Sequence, residues 1–152
     1  MPHIIHRIGI KAPIYKVYEA VASIEGISGW WTKDTTGESA IGKTIRTRFH
    51  TQEGEEQGSM EIEVLDLQPG KKVHWKFHAG PPEWIGTEVT FEFKQEENYT
   101  IILFSHLNWQ EEVEFKAHCS MKWAVFLLRL RQLIETSKGN PAPHDFKIDN
   151  WN

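Results

Sequence analysis

The chain has 152 residues, of which 39% are hydrophobic and 25% are charged; these fractions are typical of a folded domain and exclude a disordered or fibrous chain. Its 17 basic and 21 acidic residues give a net charge of −4, without the basic excess typical of nucleic-acid-binding proteins. Apolar runs are too short to cross a bilayer, no signal peptide is evident, and one cysteine excludes an internal disulfide. We therefore expect a cytoplasmic protein in which residues 1–152 form one domain, with no membrane span and no nucleic-acid partner.

The first 31 residues predict one strand followed by two short helices. Residues 3–12 alternate between two faces with a period of two, which is typical of a strand. Apolar residues at helical spacing follow Pro13 and predict a helix that ends near Ser23. A second short helical segment then runs through Gly26 to Trp31.

Strands dominate the middle of the chain. Alternating apolar and polar residues predict strands over 42–50, 59–67, 72–78, 84–94 and 99–107. The polar segment 51–57 is predicted to be a hairpin turn. Counting the first strand, we expect an antiparallel sheet of six to seven strands, which cannot bury one face without a covering layer.

The last third of the chain changes to helical periodicity. Residues 111–137 contain no Pro or Gly and predict a helix of about 27 residues, or about 40 Å at 1.5 Å per residue. Gly139 is suited to the position just after the helix, and Pro141 follows it. The tail 139–152 is predicted to be irregular. This helix is the one predicted element large enough to cover the concave face of the sheet.

Several short segments, in this order and spacing, carry a resemblance to a known family. They are Ile8-x-Ile10-x-Ala12-Pro13, the pair Trp30-Trp31, Val64-Leu65-x-Leu67-x-Pro69, residues 100–106, Trp123-x-x-x-Leu127-x-x-Leu130, and residues 134–141. Together they resemble the START-like, Bet v 1-like (SRPBCC) helix-grip superfamily. The nearest resemblance is to the family related to the C-terminal domain of the activator of heat-shock-protein-90 ATPase.

The resemblance implies an α+β helix-grip fold, in which a curved antiparallel sheet wraps round a long C-terminal helix. The superfamily includes lipid carriers, cyclases and co-chaperone domains, so the fold does not choose among these functions. Co-chaperone members usually carry an additional N-terminal domain. No such domain is recognisable here, and we therefore expect ligand binding ahead of chaperone contact.

Ten side chains are predicted to face the space between the sheet and the long helix. Most are aromatic or contain sulfur, so they suit an apolar ligand, although the same set would also serve as plain core. The predicted ligand-binding residues are Trp31, Thr47, Phe49, Met60, Trp75, Phe91, Phe104, His106, Cys119 and Trp123.

His106 and Cys119 are the two members of this set with reactive side chains. A neutral imidazole at His106 suits orienting a ligand or acting as a general base, and the alternative is a structural histidine. Cys119 lies on the apolar helix stripe, which favours a buried, inert thiol. His74 and His78 would be about 13 Å apart on one strand, too far to share a zinc ion. We expect no metal and no cofactor.

Three functions remain open from the sequence. The first is binding of a small apolar or amphipathic molecule between sheet and helix. The second is a protein-interaction role, in which Met121, Val125, Leu128, Ile101 and Leu103 form an apolar patch for a chaperone or for a second copy of the chain. The third is a cyclase- or hydrolase-type enzyme that uses His106, although the inward faces carry almost no Asp or Glu to partner it.

Overall fold

One continuous antiparallel sheet of seven strands forms the body of the computed structural model, which describes residues 1–144 and 146–151. The strand order across the sheet is β1-β7-β6-β5-β4-β3-β2. The strands are β1 (Ile4–Ile10), β2 (Asp34–Gly37), β3 (Thr44–His50), β4 (Glu56–Gln68), β5 (Lys72–Ala79), β6 (Glu88–Glu96) and β7 (Tyr99–Leu107). The first and last strands to appear in the chain are therefore neighbours, which places β1 at one edge and β2 at the other.

Three α-helices complete the described fold: α1 (Ile14–Ala22), α2 (Ile24–Trp30) and α3 (Glu114–Thr136). The long helix has 23 residues and is shorter than predicted at its N-terminal end, because Val113 is still extended. At the other end Ser137 adopts a left-handed backbone with φ of 63° and terminates the helix two residues before Gly139. Gly139 does not end the helix but allows close packing, because a Cβ at this position would collide with the backbone oxygen of Gly29.

The predicted strand over residues 84–94 begins later than expected. Pro82–Trp84 form a single 3₁₀ turn, and Gly86 has a φ of +86°, so the chain reaches the sheet only at Glu88. Proline at the first helical position favours such a turn because its ring already fixes φ. The turn places Trp84 over the end of the sheet instead of within β6.

Ser23 separates the two short helices and fixes the angle between them. Its hydroxyl accepts a hydrogen bond from the backbone N–H of Gly26 at 3.0 Å, which caps α2. A Cβ at Gly26 would lie 2.3 Å from the backbone oxygen of Ala20, so the helices approach closely only because this residue is glycine. The close approach turns Trp30 and Trp31 into the core, where both are fully buried.

The core lies between the concave face of the sheet and α3. Alternate residues of the central strands point toward the helix and are fully buried, as the period of two predicts; in β5 these are Val73, Trp75 and Phe77. The helix faces them with Trp123, Leu127 and Leu130. A curved seven-stranded sheet gripping one long helix, with two short helices after β1, is the helix-grip arrangement, and the predicted fold class is confirmed.

Candidate functional site

The middle of the core is filled by aromatic rings. Trp31 lies nearly parallel to Trp30 and to Trp75, with ring centroids 5.8 Å and 5.9 Å away. It also packs against Trp123 at 5.2 Å. Phe104 approaches Trp123 to 4.5 Å from the sheet side. These contacts leave the centre of the domain packed.

The space that is left lies at one end of the core. A cavity of about 350 Å³ opens between the β3–β4 hairpin, the 3₁₀ turn, the first half of α3 and the C-terminal tail. Its deeper walls are apolar or sulfur-containing and are formed by Phe49, Met60, Trp84, Phe115, Cys119 and Phe126. Its mouth is polar and is lined by the exposed residues Gln52, Glu53, Gln57 and Lys147, with the half-buried Thr51 and His118 and the buried Lys122 also in the lining.

The tail holds one side of this cavity through a contact with α2. The backbone N–H of Ala142 donates to the carbonyl of Trp31 at 2.8 Å, and a single bridge pairs Ala142 with Thr32. Ala142 and Pro143 thereby become part of the cavity wall. The predicted irregular tail is thus a structural component of the site.

Farther along, the tail returns to the first turns of α3. Asp149 lies 2.7 Å from His118 through its carboxylate, and this hydrogen bond lowers the pKa of Asp149. The Trp151 ring packs against His118 with centroids 5.4 Å apart. Lys122 is buried and donates to the backbone oxygen of Phe146 at 3.0 Å. Three contacts therefore attach residues 146–151 to the helix beside the cavity mouth.

His106 belongs to a closed hydrogen-bond chain and not to the cavity wall. Its Nδ1 accepts from Trp123 Nε1 at 3.1 Å, and because an indole N–H can only donate, the imidazole proton resides on Nε2. Nε2 donates to Thr87 Oγ1 at 2.8 Å, and that hydroxyl donates onward to the carbonyl of Trp84 at 2.6 Å. Burial lowers the pKa of His106 to about 3, so the ring is neutral. Both nitrogens are occupied, which supports the structural alternative for this histidine.

Cys119 does reach the cavity, but as a protonated thiol. Trp84 Nε1 donates to its sulfur at 3.4 Å. Burial raises the pKa of Cys119 to about 12, far above the range of activated nucleophilic cysteines. The geometry supports the prediction that Cys119 is a buried, unreactive thiol.

The ten predicted site residues therefore separate into two groups. Three of them, Phe49, Met60 and Cys119, line the cavity. The other seven are fully buried behind it: Trp31, Thr47, Trp75, Phe91, Phe104, His106 and Trp123. Sequence analysis did not select Trp84, Phe115 or Phe126. Phe115 and Phe126 lie within the helix predicted over 111–137, whereas Trp84 is the first residue of the strand predicted over 84–94.

Histidines on the strands have separate partners. His74 Nε2 lies 2.6 Å from a carboxylate oxygen of Glu88, and His78 Nε2 lies 2.7 Å from one of Glu63. Within residues 1–144 and 146–151, no group of three or more His, Cys, Asp or Glu side chains is arranged to hold a metal ion. None of the helices in this described part is long and apolar enough to cross a membrane.

The predicted apolar patch is only partly at the surface. Val125 and Ile101 are buried, whereas Met121, Leu128 and Leu103 are 58%, 48% and 37% exposed. Ile101 packs beside Gly9 of β1, its partner in the sheet. Ile5 on the edge strand β1 adds a further exposed apolar side chain, at 67%. The exposed apolar side chains are thus Ile5 and Leu103, on the face of the sheet turned away from α3, and Met121 and Leu128 on the helix; together they are called the surface patch.

Comparison with known proteins identifies the family. The model of the family described as "Activator of Hsp90 ATPase homolog 1-like protein" matches residues 11–135, which is most of the chain. The chain belongs to this family. Its members share the SRPBCC helix-grip fold, in which ligand-binding and polyketide-cyclase-type proteins also occur.

Solved structures of the Activator of Hsp90 ATPase homolog 1-like fold superpose well on this chain. The Aha1 dimer from Colwellia psychrerythraea is 42% identical, with a TM-score of 0.79, over 91% of this chain and 100% of that one. A Bacillus halodurans protein is 26% identical, with a TM-score of 0.67, over 88% and 97% of the two chains. CalU16 from Micromonospora echinospora is 20% identical, with a TM-score of 0.70, over 93% and 77%, and it shows the fold alone. Among curated proteins, nothing matches.

Proposed function

We propose that this family member binds a small apolar or amphipathic molecule in the cavity at the open end of the helix grip. The observation that carries the proposal is the cavity itself, whose volume of about 350 Å³ lies within the usual range for small-molecule sites. Its apolar depth and polar mouth match a ligand with one apolar end and one polar end.

Two aromatic walls of the cavity favour binding because contacts behind them hold them in place. Trp84 is fixed through its N–H to Cys119 and through edge-on packing against Phe77, with centroids 4.9 Å apart. Phe126 packs against Trp123 at 5.6 Å. A ligand entering such a site loses little free energy to ordering the protein, because the apolar surfaces are already in position. Displacement of water from these walls then supplies the driving force.

Two measurements test the proposal. Native mass spectrometry of the protein purified from its own host, with a denatured control, should reveal an additional mass that is lost on denaturation. In parallel, the apo protein should enhance the emission of 8-anilinonaphthalene-1-sulfonate, an amphipathic probe. Gln57→Phe places a ring at the exposed cavity mouth and should weaken probe binding at least tenfold.

A matched control lies on the same hairpin. Glu55 is exposed and does not line the cavity, so Glu55→Phe adds the same side chain without blocking the site. Equal binding of the probe by wild type, Gln57→Phe and Glu55→Phe would refute binding in this cavity. A clean apo mass combined with no probe enhancement would count against the proposed function altogether.

A second proposal concerns self-association through the patch of Ile5, Leu103, Met121 and Leu128. The two parts of the patch lie on either side of the unpaired edge of β1: Ile5 and Leu103 on the outer face of the sheet, and α3 on the other, where His6 of β1 lies 3.1 Å from the backbone oxygen of Ser120. Exposed edge strands beside apolar side chains are suited to pairing with another chain. The relative from Colwellia psychrerythraea is described as a dimer, which supports a homodimer here.

Light scattering after size exclusion tests the dimer. Wild type should have twice the mass of the chain, and Ile5→Lys combined with Leu128→Lys should return it to the monomer. Tyr15→Lys is the control, since Tyr15 is 72% exposed on α1 and outside the patch. A monomeric wild type would refute self-association. Chaperone contact, the remaining alternative, stays a prediction that a pull-down without chaperone enrichment would contradict.

A further inference from the structure

Three fully buried polar atoms without hydrogen-bond partners lie around one tryptophan. They are Trp31 Nε1, Thr47 Oγ1 and Trp75 Nε1. The Trp31 and Trp75 rings are parallel, with centroids 5.9 Å apart, and Thr47 lies two residues before Phe49 on the same inward face of β3. Phe49 in turn packs against Trp31 at 5.9 Å.

Buried polar atoms rarely lack a partner, because an unmade hydrogen bond leaves the full desolvation penalty of the group. Three other buried indoles in the core follow this rule. Trp30 donates to a backbone oxygen at 2.9 Å, Trp84 to Cys119, and Trp123 to His106. Trp31, Thr47 and Trp75, which we call the Trp31 cluster, thus carry two N–H donors and one hydroxyl without hydrogen-bond partners.

This cluster lies directly behind the cavity. Two cavity-lining rings, Phe49 and Phe126, are both in contact with Trp31, at 5.9 Å and 6.0 Å. A third lining residue, Met60, is the strand partner of Thr47. One layer of side chains therefore separates the apolar cavity from Trp31 and Thr47, and Trp75 packs against Trp31. Met60 in that layer is a flexible residue that can move aside.

We propose that the molecule bound in the cavity carries an oxygen acceptor at its inner end, and that the Trp31 and Trp75 indoles donate hydrogen bonds to it beside the Thr47 hydroxyl. The inference rests on the proposed function and deepens it, since it assigns the ligand class as an apolar skeleton bearing a buried carbonyl or hydroxyl oxygen. The polar mouth of the cavity is then not the only place where the ligand is recognised.

Three probes of matched shape test the acceptor. Tetralin has no oxygen, 1-tetralone has a carbonyl, and 1-tetralol has a hydroxyl on the same bicyclic skeleton. The indole N–H signals of the seven tryptophans are followed by ¹⁵N–¹H NMR and assigned with single Trp→Phe variants. With 1-tetralone or 1-tetralol, the Trp31 and Trp75 N–H protons should move downfield, whereas tetralin should cause no downfield movement.

The molecule supplies internal controls for this experiment. Trp30, Trp84 and Trp123 already have partners, so their signals should not report a new bond. Trp109 Nε1 is also without a partner but lies beside His106, with ring centroids 5.0 Å apart, and outside the Trp31 cluster. A probe that shifts Trp109 and not Trp31 or Trp75 would overturn the assignment.

Affinities give a second, independent readout. Trp75→Phe should weaken 1-tetralone roughly two- to tenfold, the effect of one net hydrogen bond, and leave tetralin unchanged. Thr47→Val, which keeps the shape, should act in the same direction, and Trp109→Phe should affect neither probe. Equal affinity for tetralin and 1-tetralone, blocked by Gln57→Phe, would overturn the acceptor and leave the proposed function standing. Failure of all three probes to bind would overturn both.

Discussion

Acidification from pH 7 to pH 5 should destabilise this fold through the buried His106, and replacement of this residue should remove that contribution. The histidine is fully buried, and its pKa is lowered from 6.5 to about 3 by burial. Protonation would also break the hydrogen bond that Nδ1 accepts from Trp123, because a protonated Nδ1 has no lone pair to offer. The folded state therefore resists taking up a proton that the unfolded chain accepts readily.

The magnitude follows from the two pKa values. Above pH 6.5 neither state holds the proton, so the contribution of His106 to stability is complete. As the pH falls below 6.5, the unfolded state gains protons and the folded state does not, and this contribution is lost progressively until the pH reaches the folded-state pKa of about 3. Each pH unit is worth about 1.36 kcal/mol, which gives about 2 kcal/mol between pH 7 and pH 5.

Urea unfolding at pH 7 and pH 5 measures this quantity. The free energy of unfolding of wild type should fall by about 2 kcal/mol more, between the two pH values, than that of His106→Gln. Comparing each protein with itself cancels any loss of stability that the substitution causes at both pH values. His78→Gln, which makes the same substitution at the surface, is the matched control variant. Equal falls for wild type and His106→Gln would refute the reasoning.

Three further substitutions or reactions have defined outcomes. Gly26→Ala should lower the free energy of unfolding by about 1–3 kcal/mol because its methyl would strike the α1 backbone, whereas Gly58→Ala, in open space, should not; equal melting curves would contradict this. Thr47→Val should leave the apo protein at least as stable as wild type, because the Thr47 hydroxyl has no hydrogen-bond partner. Thr100→Val breaks a 2.7 Å hydrogen bond to a backbone oxygen and should lower the free energy of unfolding by about 1–3 kcal/mol; a Thr47→Val protein less stable than Thr100→Val would refute this reasoning. Cys119 should resist dithionitrobenzoate at pH 8 until urea unfolds the chain, because its pKa is raised to about 12; rapid labelling of the folded protein would contradict a buried thiol.

The strand pattern could be predicted from the sequence because its physical cause is local. Because the concave face is buried, alternate strand residues on it are apolar. The spacing of Val73, Trp75 and Phe77 alone therefore predicts that they share one face. The long helix is detectable for the same reason. The beginning of β6 could not be predicted in this way. The apolar–polar alternation of the sequence starts at Trp84, but the turn at Pro82–Trp84 and the positive φ of Gly86 keep this segment out of the strand.

The site was less predictable because its walls come from distant parts of the chain. A position such as Thr47 or Phe49 is predicted to face inward, but periodicity does not reveal whether a ring or a void lies opposite. The void depends on Ala142 pairing with Trp31, more than 100 residues away, in a tail without any periodic pattern. His106 shows the same limit, because its structural role depends on Trp123 and Thr87 meeting it from two other elements.

The abundance of tryptophan explains why the cavity is displaced to one end of the grip. Large rings from α2, β5 and α3 meet in the middle of the sheet and fill it, so no ligand-sized space remains under the centre of the helix. At the open end the facing side chains are smaller or more flexible, as at Cys119, Met60 and Ala142, and the same curvature of the sheet is left unfilled. The tryptophans do more than occupy volume, since the N–H groups of Trp31 and Trp75 are buried in the core behind the cavity wall without partners. Phenylalanine at these two positions would fill the middle with rings of the same kind, but it would remove both indole donors and leave only the Thr47 hydroxyl to meet a ligand oxygen.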